Sequence, residues 1–318
     1  MTEVQVLQQD VQRISTPTEK RMMNQGSMGI AVYELLRNAD VLMKSGEPAL
    51  ALNLLRVASS QDSKNPVVLS RLAQGLETCH KFDEALVAWK ALCKIQSKFE
   101  FVFSLAQCLY KLERDEEALQ AYYECMSLVD FDRAELFDVY KNVGNILVKQ
   151  GDFDAAEEYF NKAFSMNRDS DVLLVNIATL EFQRNDQEKA LFGFRQALEI
   201  NSLNDKAWVG LALLHQQMGD VELSLANLEK AIDINSKNRT ALLLYGSWAK
   251  SMSEKMKASE YIGEYLTHFP EDVDLSLLGI QIFCQVKKTD LAEIELERAF
   301  MFSPLHAELS RLYQETHV

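Results

Sequence analysis

The sequence predicts an all-α solenoid of about eight helix–turn–helix repeats, closed by a C-terminal capping helix. Small residues recur with a period near 34, and turn residues stand midway through each period. The 318 residues include only five Pro and twelve Gly, whereas the helix formers Leu, Ala, Glu, Lys and Gln are abundant. Such a period is typical of stacked helical repeats, in which each repeat buries its apolar face against its neighbours.

The repeat is visible as three parallel series of small residues. Steps of 34 from Ala156 and from Ala163 reach small residues throughout, with Tyr265 as the one exception, and a third series runs from Gly144 to Ile280. Small residues let helices approach closely, so these positions are expected to mark helix contacts. The series are Ala156, Ala190, Ser224, Ala258, Ala292; Ala163, Ala197, Ala231, Tyr265, Ala299; and Gly144, Ala178, Ala212, Gly246, Ile280. Earlier copies at Ala118, Ala85 and Ala51 bring the number to eight.

Turn residues divide each copy into two amphipathic helices of about 12–14 residues. Gly or Asn in the turn can adopt the left-handed conformation that ends a helix, and a following Asp can cap the next helix. Proline at the breaks between copies stops one helix or opens the next. The turns within copies are KSGE (44–47), KQGD (149–152), QRND (183–186) and QMGD (217–220), and the breaks are SKNP (63–66), HFP (268–270) and FSP (302–304).

The pattern resembles the tetratricopeptide repeat from residue 32 to about residue 304. The resemblance implies a right-handed superhelix whose concave face is lined by the first helix of each repeat. The chain departs from the family pattern in the extended third copy (128–137) and in the eighth, where Ile280 replaces a small residue. The matching residues are Tyr140, Val143, Gly144 and Leu147 in a first helix, Ala156, Phe160 and Ala163 in a second, and Pro270 and Pro304 at later repeat ends.

Two terminal segments flank the predicted array of residues 31–304. Residues 305–318 continue a helical pattern and suit a capping helix, because a terminal repeat needs a cover with one wet face. Residues 1–30 fit no repeat and are expected to be a flexible segment that contains a short amphipathic helix. The apolar residues behind these two predictions are Leu305, Leu309 and Leu312 at one end, and Val4, Leu7, Val11 and Ile14 at the other.

Charge and cysteine content limit the class of protein. The chain has 33 basic and 47 acidic residues, a net charge of −14, which disfavours nucleic acid and anionic membranes as partners. It shows neither a signal peptide nor an apolar run long enough to cross a membrane, so a cytoplasmic location is expected. The odd number of cysteines, without paired spacing, predicts buried, reduced thiols at Cys79, Cys93, Cys108, Cys125 and Cys284.

Motifs for catalysis or metal binding are missing from the sequence. The five histidines are scattered, and neither Cys-x-x-Cys nor His-Glu-x-x-His occurs. Acidic stretches such as DEEA (115–118) and DAAEE (154–158) fall at solvent positions and helix starts, where they match the helix dipole. The sequence therefore predicts a non-enzymatic protein without cofactor or metal.

The resemblance implies a peptide groove on the concave face. It also suggests the carboxylate clamp of co-chaperone members, whose places here hold Lys141, Asn145, Asn176, Lys206 and, where the family has a basic residue, Gly210. In such a clamp two ammonium groups converge on a C-terminal carboxylate, while Asn side chains bind the peptide backbone. A generic peptide groove remains the alternative. The candidate groove residues are Phe103, Gln107, Tyr110, Lys141, Asn145, Asn176, Thr179, Phe182 and Lys206.

The leading functional hypothesis is a scaffold or adaptor that binds a peptide segment or partner protein in the concave groove. One alternative is a structural assembly protein that self-associates through residues 4–14 and the Leu305, Leu309 and Leu312 face. Another is a signalling regulator that binds a small GTPase or a peptide effector. RNA binding is disfavoured because the charge has the wrong sign and no regular basic series lines the inner face. The sequence leaves the oligomeric state open.

Overall fold

A computed structural model of the chain describes residues 29–128 and 134–317, and within these ranges the regular structure is entirely α-helical. The described residues contain seventeen helices. They are α1 (Ile30–Lys44), α2 (Pro48–Gln61), α3 (Pro66–Thr78), α4 (Phe82–Ile95), α5 (Phe99–Lys111), α6 (Asp115–Ser127), α7 (Leu136–Gln150), α8 (Phe153–Met166), α9 (Asp171–Gln183), α10 (Gln187–Ile200), α11 (Asp205–Gln217), α12 (Val221–Ile234), α13 (Arg239–Trp248), α14 (Met252–His268), α15 (Val273–Gln285), α16 (Thr289–Phe302) and α17 (Ala307–His317).

The helices form successive hairpins, from α1–α2 to α15–α16, and α17 follows the eighth. The predicted all-α repeat fold is confirmed. Contacts divide the chain into two compact units, an N-terminal unit that ends at Val139 and a C-terminal unit that begins at Tyr140. The N-terminal unit contains hairpins one to three, and the C-terminal unit contains α17 and most of hairpins four to eight.

The small residues lie at helix contacts, as predicted. All members of the first series, from Ala51 to Ala292, are buried. Glycine is needed at Gly144, because a Cβ atom there would lie 2.4 Å from Cε1 of Phe160 on the paired helix. The close approach of α7 and α8 therefore depends on the absence of a side chain at this position.

The two exceptions in the series have local explanations. Tyr265 replaces a small residue but is buried, with its ring stacked 4.6 Å from that of Phe269 and its hydroxyl donating to Asp272 at 3.1 Å. Burial and this hydrogen bond raise the pKa of Tyr265 to about 12. At Ile280 the small residue has shifted by one place, since a Cβ atom on Gly279 would lie 3.1 Å from a side chain of α14.

The predicted turns form as expected. In all four the Gly or Asn has positive φ, and the Asp side chains of the last three accept a hydrogen bond from a backbone N–H three residues later. Three further turns place a non-glycine residue in the left-handed region, which the sequence does not predict because these types rarely adopt it. The predicted turn residues are Gly46 (φ 81°), Gly151 (79°), Asn185 (62°) and Gly219 (84°), and the others are His80, Glu113 and Lys287.

Hairpin seven differs from the other hairpins. Its first helix, α13, has 10 residues, whereas the other first helices have 13 or 15, and its second helix, α14, has 17. No residue between them has positive φ. Instead, Ser251 and Glu254 form a capping box that starts α14 early. The turn has moved toward the N-terminus and has shortened α13 by almost one turn.

Hydrogen bonds between side chains join consecutive hairpins in the C-terminal unit. Asn201 and Asn204 donate to Oδ2 of Asp171 at 2.7 and 2.9 Å, across 30 and 33 residues. One repeat later, Asn235 and Asn238 bind Asp205 in the same way, at 2.6 and 2.8 Å. Each Asp begins a first helix, and the two Asn lie in the break that leads to the next hairpin. Each such set of hydrogen bonds, here called a rung, therefore joins two adjacent hairpins.

The next rung has a positive residue where the first two have a negative one. Arg239 occupies the place of Asp171 and Asp205, and it binds Asp272 at 2.6 and 3.0 Å and Asp274 at 2.5 Å. Burial acts to raise the pKa of Asp272, but the hydrogen bond and charge of Arg239 outweigh it, so this pKa lies below its ordinary value. The eighth hairpin is therefore joined to the seventh by an ion pair instead of amide–carboxylate bonds.

This rung is expected to weaken in acid. A depressed folded pKa stabilises the protein fully above the unfolded pKa, about 3.9 for Asp, and the stabilisation is lost as the pH falls through the folded value. Asp272→Asn keeps a good helix cap but removes the charge. We expect it to lower the urea midpoint at pH 7 and to have a much smaller effect at about pH 3. An equal difference from wild type at both pH values would contradict a charged rung.

Some terminal and cysteine predictions need correction. Leu305 does not join the apolar face of the last helix, because α17 begins at Ala307 and Leu305 is 96% exposed, whereas Leu309 is fully buried against α16. All five cysteines are free, but only Cys108 and Cys125 are buried as predicted, whereas Cys79 and Cys93 are partly buried and Cys284 is exposed. The predicted amphipathic helix at residues 4–14 and part of the extended third copy, residues 129–133, lie outside the described residues.

Candidate functional site

In the N-terminal unit, the three candidate groove residues lie on α5. Phe103, Gln107 and Tyr110 are all partly exposed, on a helix whose other face is buried against the hairpin. The ring of Phe103 stacks on that of Phe99 at 5.7 Å and meets that of Tyr122 at 6.2 Å. Phe103 thus belongs partly to the hairpin core and is only partly open to a ligand.

In the C-terminal unit, the other candidates lie on α7, α9 and α11. Lys141, Asn145 and Asn176 are partly exposed, and Lys206 is exposed in the first turn of α11. Phe182 is also partly exposed, but its ring packs against the core between α9, α10 and α11.

The hydroxyl of Thr179 donates to the carbonyl of Val175, on its own helix, at 2.8 Å. Its donor is therefore already used, and only the two lone pairs of its oxygen can receive a hydrogen bond from a ligand.

Unpaired buried polar atoms concentrate in hairpins five and six. Among the described residues, six buried side-chain N or O atoms lack a hydrogen-bond partner, and five of them lie on α9, α11 and α12. Glu181 still faces Lys189 at 3.8 Å. An unpaired buried polar group is costly, so each points to a functional or structural demand. The atoms are Asn176 Nδ2, Glu181 Oε2, Gln216 Oε1, Ser224 Oγ, Asn227 Nδ2 and, outside these hairpins, Ser276 Oγ.

The five clamp residues occupy different positions within their repeats. Gly144, Ala178 and Ala212 are equivalent positions 34 residues apart. Counted from them, the equivalents of Lys141 are Val175 and Val209, which are buried. Asn176 and Lys206 stand one and three residues away from those positions, so neither is the repeat equivalent of Lys141, and the carboxylate clamp remains a prediction.

At the fifth clamp position the packing leaves no room for a basic side chain. A Cβ atom on Gly210 would lie 2.3 Å from Cε1 of Phe194, which is buried on α10. Gly210 is therefore a packing residue. The departure from the family's basic residue, visible in the sequence, thus has a packing reason in the structure.

A cavity that the sequence does not predict lies between α13 and α15. Its volume is about 340 Å³, and its polar lining comes from Ser247, Lys255, Gln281 and Gln285. The segment SWAKSMSEK (247–255) is the sequence feature that could have indicated this cavity, because it lacks the Gly-Asp or Asn-Asp turn found in copies four, five and six. A second, shallow cavity of about 350 Å³ lies at the Arg239–Asp272 ion pair.

The described ranges, 29–128 and 134–317, offer neither a clustered metal site nor a membrane-spanning helix. They contain no group of three or more His, Cys, Asp or Glu side chains placed to hold a metal ion. In the same ranges no helix is both long and apolar enough to cross a bilayer.

Three tetratricopeptide repeat family profiles match the chain, at residues 101–169, 144–205 and 205–238. These matches identify residues 101–238 as tetratricopeptide repeats, and the hairpins on either side, with their buried small residues, continue the same pattern. No curated protein matches the sequence.

Solved structures show the same fold at low sequence identity. A tetratricopeptide repeat protein from Parabacteroides merdae is 18% identical, with a TM-score of 0.67, over 80% of this chain and 100% of that chain. Yeast Tom70 is 14% identical, with a TM-score of 0.67, over 92% of this chain and 64% of its own. PilW, a type IV pilus biogenesis factor, is 14% identical, with a TM-score of 0.57, over 68% of this chain and 99% of its own.

Proposed function

We propose that the protein is a non-enzymatic scaffold that binds an extended segment of a partner protein along the first helices of its hairpins. The main contacts come from α7, α9 and α11 of the C-terminal unit, through Lys141, Asn145, Asn176, Thr179, Phe182 and Lys206. Phe103, Gln107 and Tyr110 on α5 form a second contact surface in the N-terminal unit. Its tetratricopeptide repeats support a protein-interaction role in general, and the side chains specify the surface.

Asn176 carries this proposal. Its residue is partly exposed on α9, yet its amide nitrogen is buried without a partner. Rotation about the Cβ–Cγ bond exchanges the positions of the amide oxygen and nitrogen, which brings the donor to the open side. A backbone carbonyl of an extended peptide would then receive the hydrogen bond that no group of the described chain accepts.

The neighbouring side chains supply the rest of a peptide surface. Lys206 is exposed and makes no ion pair with any described residue, so its ammonium can pair with an acidic or C-terminal carboxylate of the partner. Asn145 adds a second amide on α7. We further infer that the protein acts in a reducing compartment such as the cytoplasm, which the five free cysteines support.

The proposal is tested by affinity capture from native lysate with mass spectrometry. Wild-type protein is run beside a Lys141→Glu, Asn145→Ala, Lys206→Glu triple variant, and circular dichroism confirms that both are folded. We expect one partner to be enriched by the wild type and lost in the variant. Equal recovery of every partner by both proteins would contradict binding on α7, α9 and α11.

Self-association is a second candidate function, because α16 has an unusually apolar exposed stripe. Leu291, Ile294 and Phe302 are exposed, and Met301 is 81% exposed. Exposed apolar patches of this kind often mark protein interfaces. The face of Leu305, Leu309 and Leu312, which the sequence predicts for this role, is not available because Leu309 is buried. Light scattering of wild type and an Ile294→Ser, Met301→Ser variant separates the candidates, because a dimer that depends on α16 would dissociate in the variant.

A further inference from the structure

The shortened first helix of hairpin seven creates the cavity between α13 and α15. If α14 followed the 34-residue repeat from Val221, it would begin at residue 255, but it begins at Met252. The turn therefore lies three residues earlier than the repeat predicts, which shortens α13 by about 4.5 Å and lengthens α14 by the same number of residues. The vacated space is the cavity of about 340 Å³, here called the α13–α15 notch and defined by Ser247, Lys255, Gln281 and Gln285.

The polar side chains of the notch are those of hydrogen-bond donors, with no acidic residue among them. Lys255 supplies an ammonium group, Gln281 and Gln285 supply amides, and Ser247 a hydroxyl, above an apolar floor from Leu278 and Ile282. The absence of Asp and Glu from this lining stands out in a chain with 47 acidic residues against 33 basic ones. The lining of the notch therefore carries one positive charge and no negative one.

Lys255 is available to a ligand. It is partly exposed and has no ion pair or side-chain hydrogen bond with any residue of 29–128 or 134–317. The nearest acid in sequence, Glu254, accepts the backbone N–H groups of Lys250 at 2.7 Å and Ser251 at 2.9 Å. The capping box thus occupies that carboxylate and leaves the ammonium of Lys255 without a counterion.

The second cavity in this unit gives a useful contrast. Its size is similar, about 350 Å³, but its only basic residue is Arg239. That guanidinium already binds Asp272 and Asp274. The positive side chain in this cavity is therefore already neutralised by its neighbours. The α13–α15 notch differs because its lining has no acidic residue and its lysine has no ion pair with any described residue.

We propose that the α13–α15 notch binds a carboxylate carried by a polypeptide. The single ammonium of Lys255 balances one negative charge, and the amides of Gln281 and Gln285 can donate to the second oxygen. A phosphate dianion would leave a second charge uncompensated in a protein of net charge −14. The site lies on hairpins seven and eight, apart from the α7, α9 and α11 surface, so it extends the proposed function without depending on it.

Three acetylated tetrapeptides test the proposal on the full chain and distinguish the two sources of a carboxylate. Tetra-alanine with a free carboxyl end presents a C-terminal carboxylate, its C-terminal amide presents none, and an amidated peptide with one glutamate presents a side-chain carboxylate. Binding is followed through the ¹⁵N shifts of the Ser247 backbone amide and the Gln281 and Gln285 side-chain amides. We expect saturable shifts at concentrations on the order of millimolar with a carboxylate peptide and none with the neutral amide.

Lysine variants give the matched control. Lys255→Gln is expected to weaken carboxylate binding by about fivefold or more, because it removes the counter-charge. Lys230→Gln removes one positive charge from the exposed side of α12 and is expected to leave binding unchanged. The preferred peptide identifies the source as a chain end or an acidic side chain. Equal shifts with the neutral peptide, or equal affinities of Lys255→Gln and wild type, would overturn the proposal.

Discussion

Replacing Phe194 with alanine is expected to lower the free energy of unfolding by about 3–5 kcal/mol. The side chain is 2% exposed in the core between α9, α10 and α11, so truncation would leave a cavity that the rigid helices cannot close. Phe192 lies two residues earlier on the same helix and is 64% exposed. Phe192→Ala is therefore a matched control, with an expected change within about 0.5 kcal/mol. Urea unfolding of the three proteins checks the difference.

The same contact excludes a side chain from Gly210. Gly210→Lys would restore the basic residue that the clamp requires, but its Cβ would collide with the Phe194 ring. We expect this variant to be destabilised by about 1–3 kcal/mol, as other overpacked cores are. Equal stabilities of Phe192→Ala and Phe194→Ala, or a Gly210→Lys variant as stable as wild type, would show that the assigned packing of α10 against α11 is wrong.

Repeat period and turn chemistry predict most of the fold because they report directly on helix contacts. The buried Ala51 to Ala292 series and the positive-φ Gly151 and Gly219 follow from residue type alone. Hairpin seven does not, since its turn has moved by three residues without any change in the spacing of the small residues. Helix length there depends on competition between the missing left-handed turn and the Ser251–Glu254 capping box, which spacing does not reveal.

The candidate site is less predictable than the fold. Partial exposure of Asn145, Asn176 and Lys206 agrees with the sequence pattern, because first-helix residues away from the small-residue face remain open. Residue type did not fix the face that Gly210 occupies. The sequence does not predict the α13–α15 notch for a further reason. Its donors come from three helices and converge only because a turn of α13 is missing.

Replacing Asn176 with leucine is expected to raise stability and weaken partner binding at once. Leucine has the same branched arrangement of heavy atoms and removes the buried amide nitrogen that has no partner, so the free energy of unfolding should rise by about 1 kcal/mol. Loss of the donor leaves an acceptor of the bound partner unpaired, which costs about 1–3 kcal/mol, or roughly five- to 150-fold in Kd. If Asn176 had a purely structural role, the substitution would change stability without weakening partner binding.

Asn161→Leu is the matched control for this variant. Asn161 is exposed on α8, a second helix, so the same chemical change removes a side-chain amide that the proposed peptide surface does not use. Its affinity for the partner is expected to equal that of the wild type. A loss of binding in Asn161→Leu would instead place the partner on the second helices.

The most direct test is to measure, for wild type, Asn176→Leu and Asn161→Leu, the Kd for the partner captured from lysate and the free energy of unfolding. The proposed scaffold predicts a Kd at least about fivefold higher in Asn176→Leu alone, together with unchanged or increased stability. An Asn176→Leu variant that binds the partner as tightly as the wild type would contradict peptide binding on α9.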